Sequence, residues 1–249
     1  HHVARHRNKL RAGHLVGNRF SIVVRDVLPD AFQSAQTIAA EVLRMGAPNY
    51  YGMQRFGREG ETLRCGLDLL NGRLAPHGIP KSRRRFLLRL ALSAAQSLLF
   101  NQVVSDRVRD GLCHTVMDGD VVQLSRGRRT WRVQDAVVEQ SRLDQGELLL
   151  TGPMFGPRMV TAGGQVNDRE QRVLQCHELG LASFERFPRL TSGTRRPLLV
   201  RPGALTVTQV SEGLRFDFDL PSGAYATTLL REFQKDDVEQ PGVPAQMSE

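Results

Sequence analysis

The 249-residue sequence predicts a fold that combines α-helices with β-strands. The run RFSIVVRDV at 19–27 is rich in β-branched residues, which is typical of a strand. Residues 86–108 lack proline and glycine and repeat apolar residues at helical spacing, which predicts a long helix. In LRFDFDL at 214–220 apolar and charged residues alternate, which predicts a strand with one buried face and one solvated face.

A shorter helix is predicted directly after the first strand. Apolar residues recur at helical spacing between Pro29 and Met45, and Gly46 is typical of a helix end. Pro48 favours an extended or turn conformation in the residue before it. The following segment, NYYGMQRFG at 49–57, is therefore predicted to lie on a connection.

The middle of the chain combines loop and strand signals. Residues 71–85 contain several glycines and prolines, which predicts a loop and a crossing between domains. Three later runs predict short strands: DGDVVQL at 118–124, RTWRVQ at 129–134 and ELLLTG at 147–152. The run GPMFGPRMVTAGGQ is glycine-rich, but it lacks the spacing of a nucleotide-phosphate loop.

The long helix at 86–108 is predicted to be amphipathic. Its proposed buried stripe consists of Leu87, Ala91, Ala94 and Leu98. This stripe accounts for one face of the helix only.

The positive charge of the chain is clustered. The formal net charge is +8 at pH 7, and Lys and Arg residues concentrate in the first 25 residues, at 81–89 and at 126–132. Basic clusters interrupted by apolar residues are typical of a folded surface that binds phosphates. A solvated basic face would have the same composition, so charge alone leaves both interpretations open.

The sequence predicts a cytoplasmic protein without membrane contact. No run approaches the roughly 18 uninterrupted apolar residues of a membrane span, and the His-rich, basic start is unlike a signal peptide. The three cysteines, Cys65, Cys113 and Cys176, are far apart and form no C-x-x-C pair. Neither a disulfide framework nor a metal site is therefore expected.

The segment NYYGMQRFG contains two of the three tyrosines of the chain. Its rings can stack on a nucleobase, Asn49 and Gln54 can bond the polar edge of a base, and Arg55 can bind a phosphate. The alternative is a core-packed turn in which Tyr50 or Phe56 is a buried anchor. The residues alone leave both interpretations open.

This segment resembles the NYFGxQRFG motif of the TruD family of tRNA pseudouridine synthases. Other segments resemble the same family in order along the chain: RHRNKLRAGHLVGNRFSIVVR, LSAAQSLLFNQVVSDRV, VMDGDVVQL, LTGPMFG and LPSGAYATTLLREF. Several ordered matches are far more specific than one short motif.

The resemblance implies an α+β fold. A pseudouridine synthase catalytic domain with an antiparallel sheet, incomplete at its N-terminus, would be interrupted by an inserted α/β TRUD domain. The catalytic domain would comprise residues 1–74 and 196–249, and the inserted domain residues 75–195. The loop at 71–85 and the turn TSGTRRP are the expected crossings.

The resemblance also implies an activity. The family detaches a uracil from its ribose in tRNA, rotates the base and rejoins it through carbon, at uridine-13 in the D-arm. The implied reaction needs no metal and no cofactor. The expected partner is tRNA, without a membrane, and the protein is expected to be monomeric.

Two departures from the family pattern affect these expectations. The catalytic aspartate belongs to a GxKDxxA motif upstream of the basic strand, and the chain begins after that point. Lys235-Asp236 lacks the surrounding residues of this motif and is not assigned the role. We therefore expect a fragment that is inactive alone. The second departure is Tyr51, which stands where the family has phenylalanine.

The resemblance assigns roles residue by residue. The expected substrate-binding residues are Asn49, Tyr51, Gln54 and Arg55, with Tyr51 stacking on the target base and Asn49 holding the aspartate or the sugar. The expected contacts to the tRNA backbone are Arg5, Lys9, Arg11, Arg83, Arg84 and Arg85. The alternative function is a non-catalytic basic RNA-binding protein on the same scaffold. A basic structural protein of a ribonucleoprotein would explain the charge but not the aromatic segment.

Overall fold

The structure is a computed structural model that describes residues 16–127 and 129–234. Within them the chain forms two compact units. The first unit contains residues 16–47 and 200–234, and the second contains residues 48–199.

The elements alternate between helix and strand along the chain. In order, the strands are β1 (Gly17–Val24), β2 (Ala47–Pro48), β3 (Val121–Leu124), β4 (Thr130–Arg132), β5 (Leu148–Met154), β6 (Thr194–Pro197), β7 (Leu199–Val200), β8 (Gly203–Val210) and β9 (Gly213–Pro221). The helices are α1 (Ala31–Met45), α2 (Glu61–Asn71), α3 (Arg84–Arg109), α4 (Ala136–Asp144), α5 (Gly164–Gln175), α6 (Leu181–Glu185) and α7 (Ala226–Gln234). The chain crosses between the units at β2 and at β7.

The first unit is built on an antiparallel sheet in the order β1, β9, β8. The predicted alternation in β9 is confirmed, because Leu214, Phe216, Phe218 and Leu220 are all at most 3% exposed. Phe20 of β1 stands opposite Phe218, and the two rings stack with centroids 5.4 Å apart. Apolar residues of α1 and α7 complete this core.

The second unit contains a four-stranded antiparallel sheet in the order β4, β3, β5, β6. The three short strands predicted in this region are confirmed as β3, β4 and β5. The glycine-rich run that follows leads into α5. Helix α3 packs between this sheet and α2, and it contributes residues to both large apolar clusters of the unit.

Helix α3 is longer and more enclosed than the sequence predicts. Between Ala91 and Val104 every residue is buried except Ser93 and Gln102, which are half-buried. The predicted apolar stripe is therefore too narrow, because neighbours cover the helix on nearly all sides. Among the described helices, α3 is long and apolar enough to cross a membrane, but 67% of its apolar window is buried inside the structure. Such burial is typical of a core helix.

Two buried ion pairs connect elements of the second unit. Arg107 of α3 pairs with Asp120, and Arg195 of β6 forms a two-pronged pair with Glu170 of α5, at 2.6 and 3.1 Å. Burial raises the pKa of both carboxyl groups, and the facing guanidinium opposes each shift. Since both charges of each pair are enclosed, loss of one partner would leave an unpaired buried charge.

The limits of the compact units differ from those of the predicted domains. Residues 71–85, predicted as a crossing, connect α2 to α3 inside the second unit. The physical reason is that α2 packs directly on α3, so the chain does not leave the unit there. The assignment of 1–74, 75–195 and 196–249 to catalytic and inserted domains stays a prediction.

Gly66 sets the distance between α2 and α3. A Cβ atom at this position would lie 2.1 Å from the carbonyl oxygen of Ala91, which is backbone and cannot rotate away. We expect Gly66→Ala to force the helices apart and to cost about 1–3 kcal/mol. In a thermal melt followed by circular dichroism, each kcal/mol corresponds to a loss of about 2–4 °C.

Gly78→Ala is the matched control for this change. The nearest heavy atom to a Cβ at Gly78 is Cδ1 of Leu74, at an ordinary 3.4 Å. Equal melting temperatures for the Gly66→Ala and Gly78→Ala variants would contradict the close approach of the two helices.

Candidate functional site

The segment NYYGMQRFG connects β2 to the turn before α2 and contains a 3₁₀ turn at Met53–Arg55. Its three rings have different environments. Tyr50 and Phe56 are 8% and 0% exposed, so the core-anchor interpretation is confirmed for both. Tyr51 is half-buried and packs at the edge of two apolar clusters. Among these three rings, Tyr51 is therefore the least enclosed.

The backbone at Tyr51 is fixed by Asn101, which is fully buried on α3. The N–H of Tyr51 donates to Oδ1 of Asn101 at 2.8 Å, and Nδ2 of Asn101 donates to the carbonyl oxygen of Tyr51 at 3.0 Å. One side chain thus satisfies both backbone groups of the residue. Because the amide is enclosed, losing either bond would leave a buried polar group without its partner.

Arg55 is held by the same face of α3. Its Nε donates to Oγ of Ser97 at 3.3 Å, and its Nη2 contacts Oγ of Ser93. Ser93, Ser97 and Asn101 are spaced four residues apart, so they form a polar stripe along an otherwise apolar helix. The segment from Tyr51 to Arg55 is hydrogen-bonded to this stripe at both of its ends.

Asn49 is 7% exposed and joins the segment to the end of β6. Its backbone N–H donates to the carbonyl oxygen of Leu198 at 2.8 Å, and its Nδ2 donates to that of Pro197 at 2.9 Å. The amide nitrogen has two hydrogens, so one donor remains beyond the bond to Pro197.

Arg196 contacts both Asn49 and Tyr51. Its Nη2 donates to Oδ1 of Asn49 at 2.5 Å and to the carbonyl oxygen of Asn49 at 3.2 Å. Its guanidinium carbon lies 4.2 Å from the centroid of the Tyr51 ring, within cation–π range. Arg196 thereby orients two residues that the resemblance predicts to bind the substrate.

The Tyr51 ring is positioned by contacts on several sides. It meets Phe100 edge-on, with centroids 5.8 Å apart and ring planes at 83°. Its hydroxyl lies 3.6 Å from Sδ of Met154, and the guanidinium carbon of Arg55 lies 5.6 Å from the ring centroid. The flat surface at this site is therefore an aromatic ring paired with guanidinium groups, and both kinds of group stack on nucleobases.

The other predicted residues have different environments. Gln54 is exposed on the 3₁₀ turn, and Arg83 and Arg85 are exposed at the start of α3. Nε and Nη2 of Arg84 donate to the carbonyl oxygen of Ile79 at 3.0 and 2.9 Å, so this guanidinium is bonded to the loop that precedes α3. The predicted phosphate contacts Arg5, Lys9 and Arg11, and also Lys235-Asp236, lie outside the described residues.

The sequence did not indicate Arg196, Asn101 or the serine pair on α3. Arg196 follows another arginine in the short strand β6, and no spacing connects it to Asn49 along the chain. The polar stripe could have been predicted from the sequence, because Ser93, Ser97 and Asn101 recur every fourth residue in a helix whose central part is otherwise largely apolar. Among the described residues, no group of three His, Cys, Asp or Glu side chains could hold a metal ion.

A solved structure from Methanosarcina mazei, described as tRNA pseudouridine synthase D (TruD), has the same fold. The two structures match with a TM-score of 0.73 and 23% sequence identity, over 90% of this chain and 70% of the other. The architecture of this chain is thus the α+β fold of that structure.

The sequence comparisons define the family. The model of "tRNA pseudouridine synthase D (TruD)" matches residues 1–76 and 81–233. The tRNA pseudouridine synthase D of Anaeromyxobacter dehalogenans (strain 2CP-C) is 38% identical over 96% of this chain and 68% of its own length. That of Actinobacillus succinogenes is 37% identical over 92% of this chain and 65% of its own length. The chain belongs to the TruD family of tRNA pseudouridine synthases, which are isomerases.

Arg196 provides a direct test of the site geometry. We expect Arg196→Met to destabilise the second unit by about 1–3 kcal/mol, because it removes charge-assisted bonds to Asn49 and the cation–π contact with Tyr51. Arg196→Lys should recover only part of this loss, since an ammonium lacks the guanidinium fork. Urea unfolding followed by circular dichroism measures the change.

Arg158→Met is the control, because Arg158 is exposed in the same unit and forms no ion pair within the described part of the chain. If Arg158→Met and Arg196→Met shifted the unfolding midpoint equally, Arg196 would not hold the site together.

Proposed function

We propose that this chain binds tRNA and forms one wall of the uridine site of an enzyme that converts uridine-13 of the D-arm to pseudouridine. The observation that supports this proposal is the fixed arrangement of Asn49, Tyr51 and Arg196 in a member of the TruD family. Flat groups, amides and guanidinium groups lie together there, and these recognise an extruded base and its phosphate.

The reaction requires the target base to leave the stacked RNA. Extrusion costs a few kcal/mol, and a flat surface in the protein offsets the lost stacking. In the proposed complex, Tyr51 supplies that surface, with its orientation set by Phe100 and Arg196. Because Asn101 holds the Tyr51 backbone, the ring is positioned before the RNA binds.

The second Nδ2 hydrogen of Asn49 is the hydrogen-bond donor that the proposed chemistry needs. One Nδ2 hydrogen is used by Pro197, and the other can bond the catalytic aspartate or the ribose. Arg196 donates to the amide oxygen and so fixes which way the amide points. The proposed role of Asn49 is therefore positioning by hydrogen bonding.

The catalytic aspartate itself has no counterpart in these 249 residues, because they contain no Gly-x-Lys-Asp sequence. The aspartate acts as nucleophile or as base at the sugar, and loss of such a group reduces the rate by orders of magnitude. We propose that the chain binds RNA but does not isomerise uridine unaided.

The purified 249-residue chain should form no measurable pseudouridine in a tRNA transcript, although it should bind that transcript. Mass spectrometry of the digested RNA after chemical labelling of pseudouridine measures the product, with a TruD enzyme of full length in parallel. Product formed by this chain alone would refute the proposal. Loss of such product in an Asp236→Asn variant would then locate the missing carboxylate in the C-terminal residues.

A second candidate function is a non-catalytic basic RNA-binding protein on the same scaffold, which the absence of a Gly-x-Lys-Asp sequence upstream of His1 would favour. A Gly-x-Lys-Asp sequence in the reading frame upstream of His1 would decide for the enzyme. For either function, we propose a monomer that acts in the cytoplasm.

Arg83 and Arg85 are the proposed phosphate contacts of the second unit, because both are exposed and neither pairs with an acidic residue among those described. Arg84 is not proposed as a phosphate contact, because its guanidinium donates to the carbonyl oxygen of Ile79. Replacing both Arg83 and Arg85 by glutamate should weaken tRNA binding and reduce the dependence of log Kd on log salt by about 1–2. Fluorescence anisotropy at several salt concentrations measures both effects.

The control is the double replacement of Arg64 and Arg158 by glutamate, which changes the net charge by the same amount at two other exposed positions. If both double variants bound tRNA equally well, a local contact at Arg83 and Arg85 would be excluded.

A further inference from the structure

Phe86 is a large aromatic residue that the structure leaves open to solvent. Its exposure is 67%, and in the described part of the chain it is the one aromatic residue among the exposed large hydrophobic side chains. Every other phenylalanine among the described residues is buried or half-buried. Exposing this ring carries an unfavourable free energy of hydration, and a ligand that covered it would reduce that free energy.

The surroundings of Phe86 are strongly positive. Lys81, Arg83, Arg85 and Arg89 are all exposed, and none of them pairs with an acidic side chain in the described part of the chain. No Asp or Glu occurs in the sequence between residues 69 and 105. A partner must therefore be negatively charged and must also offer a flat apolar group to the ring. Nucleic acid has both properties.

Phe86 also lies on the helix face that holds the aromatic segment. At 3.6 residues per turn, Phe86, Ser93 and Ser97 lie within about 40° of one another around the axis of α3. Ser93 and Ser97 bind Arg55, and with a rise of 1.5 Å per residue Ser93 is about 10 Å along the axis from Phe86. Phe100, which contacts the Tyr51 ring, lies 14 residues from Phe86, or about 21 Å along the axis. Phe86 is thus on the same side of the helix as the proposed uridine site, but several nucleotides away from Tyr51.

We propose that Phe86 stacks on an unpaired nucleobase of the bound RNA, several nucleotides from the uridine held at Tyr51, while Arg85 and Arg89 bind the phosphates of that nucleotide. The inference rests on the proposed RNA-binding function. It requires an unpaired base, because the face of a base inside a duplex is covered by its neighbours.

Trp131 is a second aromatic residue among cations, but its environment differs. Its Nε1 donates to Glu139 at 2.9 Å, and the guanidinium carbon of Arg142 lies 5.4 Å from its ring centroid. Arg142 is itself paired with Glu139 and Glu147. The indole N–H of Trp131 and the guanidinium of Arg142 are thus bonded within the protein and the Trp131 ring is half-buried, whereas the Phe86 ring is exposed.

The test compares variants of the full 249-residue chain in their binding to a single-stranded oligouridine and to a blunt RNA duplex of equal length. Phe86→Ala should weaken binding to the oligouridine about 5- to 100-fold, which is the range expected for loss of one stacked base. Phe86→Trp should restore binding, and Phe86→Leu should not, because a branched aliphatic side chain has no ring face. The salt dependence should stay unchanged, since no charge is removed.

Two controls distinguish a loss of base stacking from a general loss of structure or affinity: binding to the duplex, and a variant at another exposed apolar residue. Binding to the duplex should be the same for Phe86→Ala and the unmodified chain. Val137→Ala removes another exposed apolar side chain, 82% exposed on α4, and should leave binding to both RNAs unchanged. A melting curve for Phe86→Ala should match that of the unmodified chain, because the ring makes few contacts to lose.

The outcomes distinguish this inference from the function on which it rests. If the unmodified chain bound neither RNA, the proposed RNA-binding function itself would be wrong. If it bound the oligouridine and Phe86→Ala bound equally well, only the role of Phe86 would be overturned. Stacking would also be excluded if Phe86→Ala lost equal affinity for the oligouridine and the duplex, or if Phe86→Leu bound the oligouridine as tightly as the unmodified chain.

Discussion

The enclosure of α3 is the constraint on which the second unit depends. A helix covered on nearly all sides cannot leave its polar side chains without partners, because each unpaired group would cost about 1–3 kcal/mol. Gln96 donates to the carbonyl oxygen of Phe155 at 2.6 Å, and Asn101 holds both backbone groups of Tyr51. These polar residues therefore determine where two irregular segments of the chain can lie. The candidate site is one of those segments.

Arg196 of β6 contacts the same site. It lies 147 residues from Asn49 along the chain, yet its guanidinium both bonds that residue and covers the ring of Tyr51. A guanidinium suits this position because its plane stacks on a ring while its edge donates to oxygen atoms. The orientation of Asn49 and that of Tyr51 are thereby coupled. A change at Arg196 would therefore alter the positions of Asn49 and Tyr51 together.

Much of the fold was predictable because it depends on local periodicity. Helix α1 ends at Met45 as predicted, α3 extends the predicted range by two residues at its start and one at its end, and β9 alternates as expected. The limits of the compact units were not predictable in the same way. Glycine and proline at 71–85 indicate a loop correctly, but local sequence does not show that the helices on either side pack together through Gly66.

The sequence by itself determined the family, the order of the elements and the segment that carries the candidate site, because these follow from motifs and spacings along the chain. Only the tertiary structure decided which rings of that segment are buried anchors and which one is half-buried at the edge of the core. Tyr50 and Phe56 are buried and Tyr51 is not, although all three are aromatic and close in sequence. The difference arises because Phe56 and Tyr50 lie inside the two apolar clusters of the second unit while Tyr51 lies at their edge. The other members of these clusters are mostly distant in sequence, and burial depends on neighbours in space.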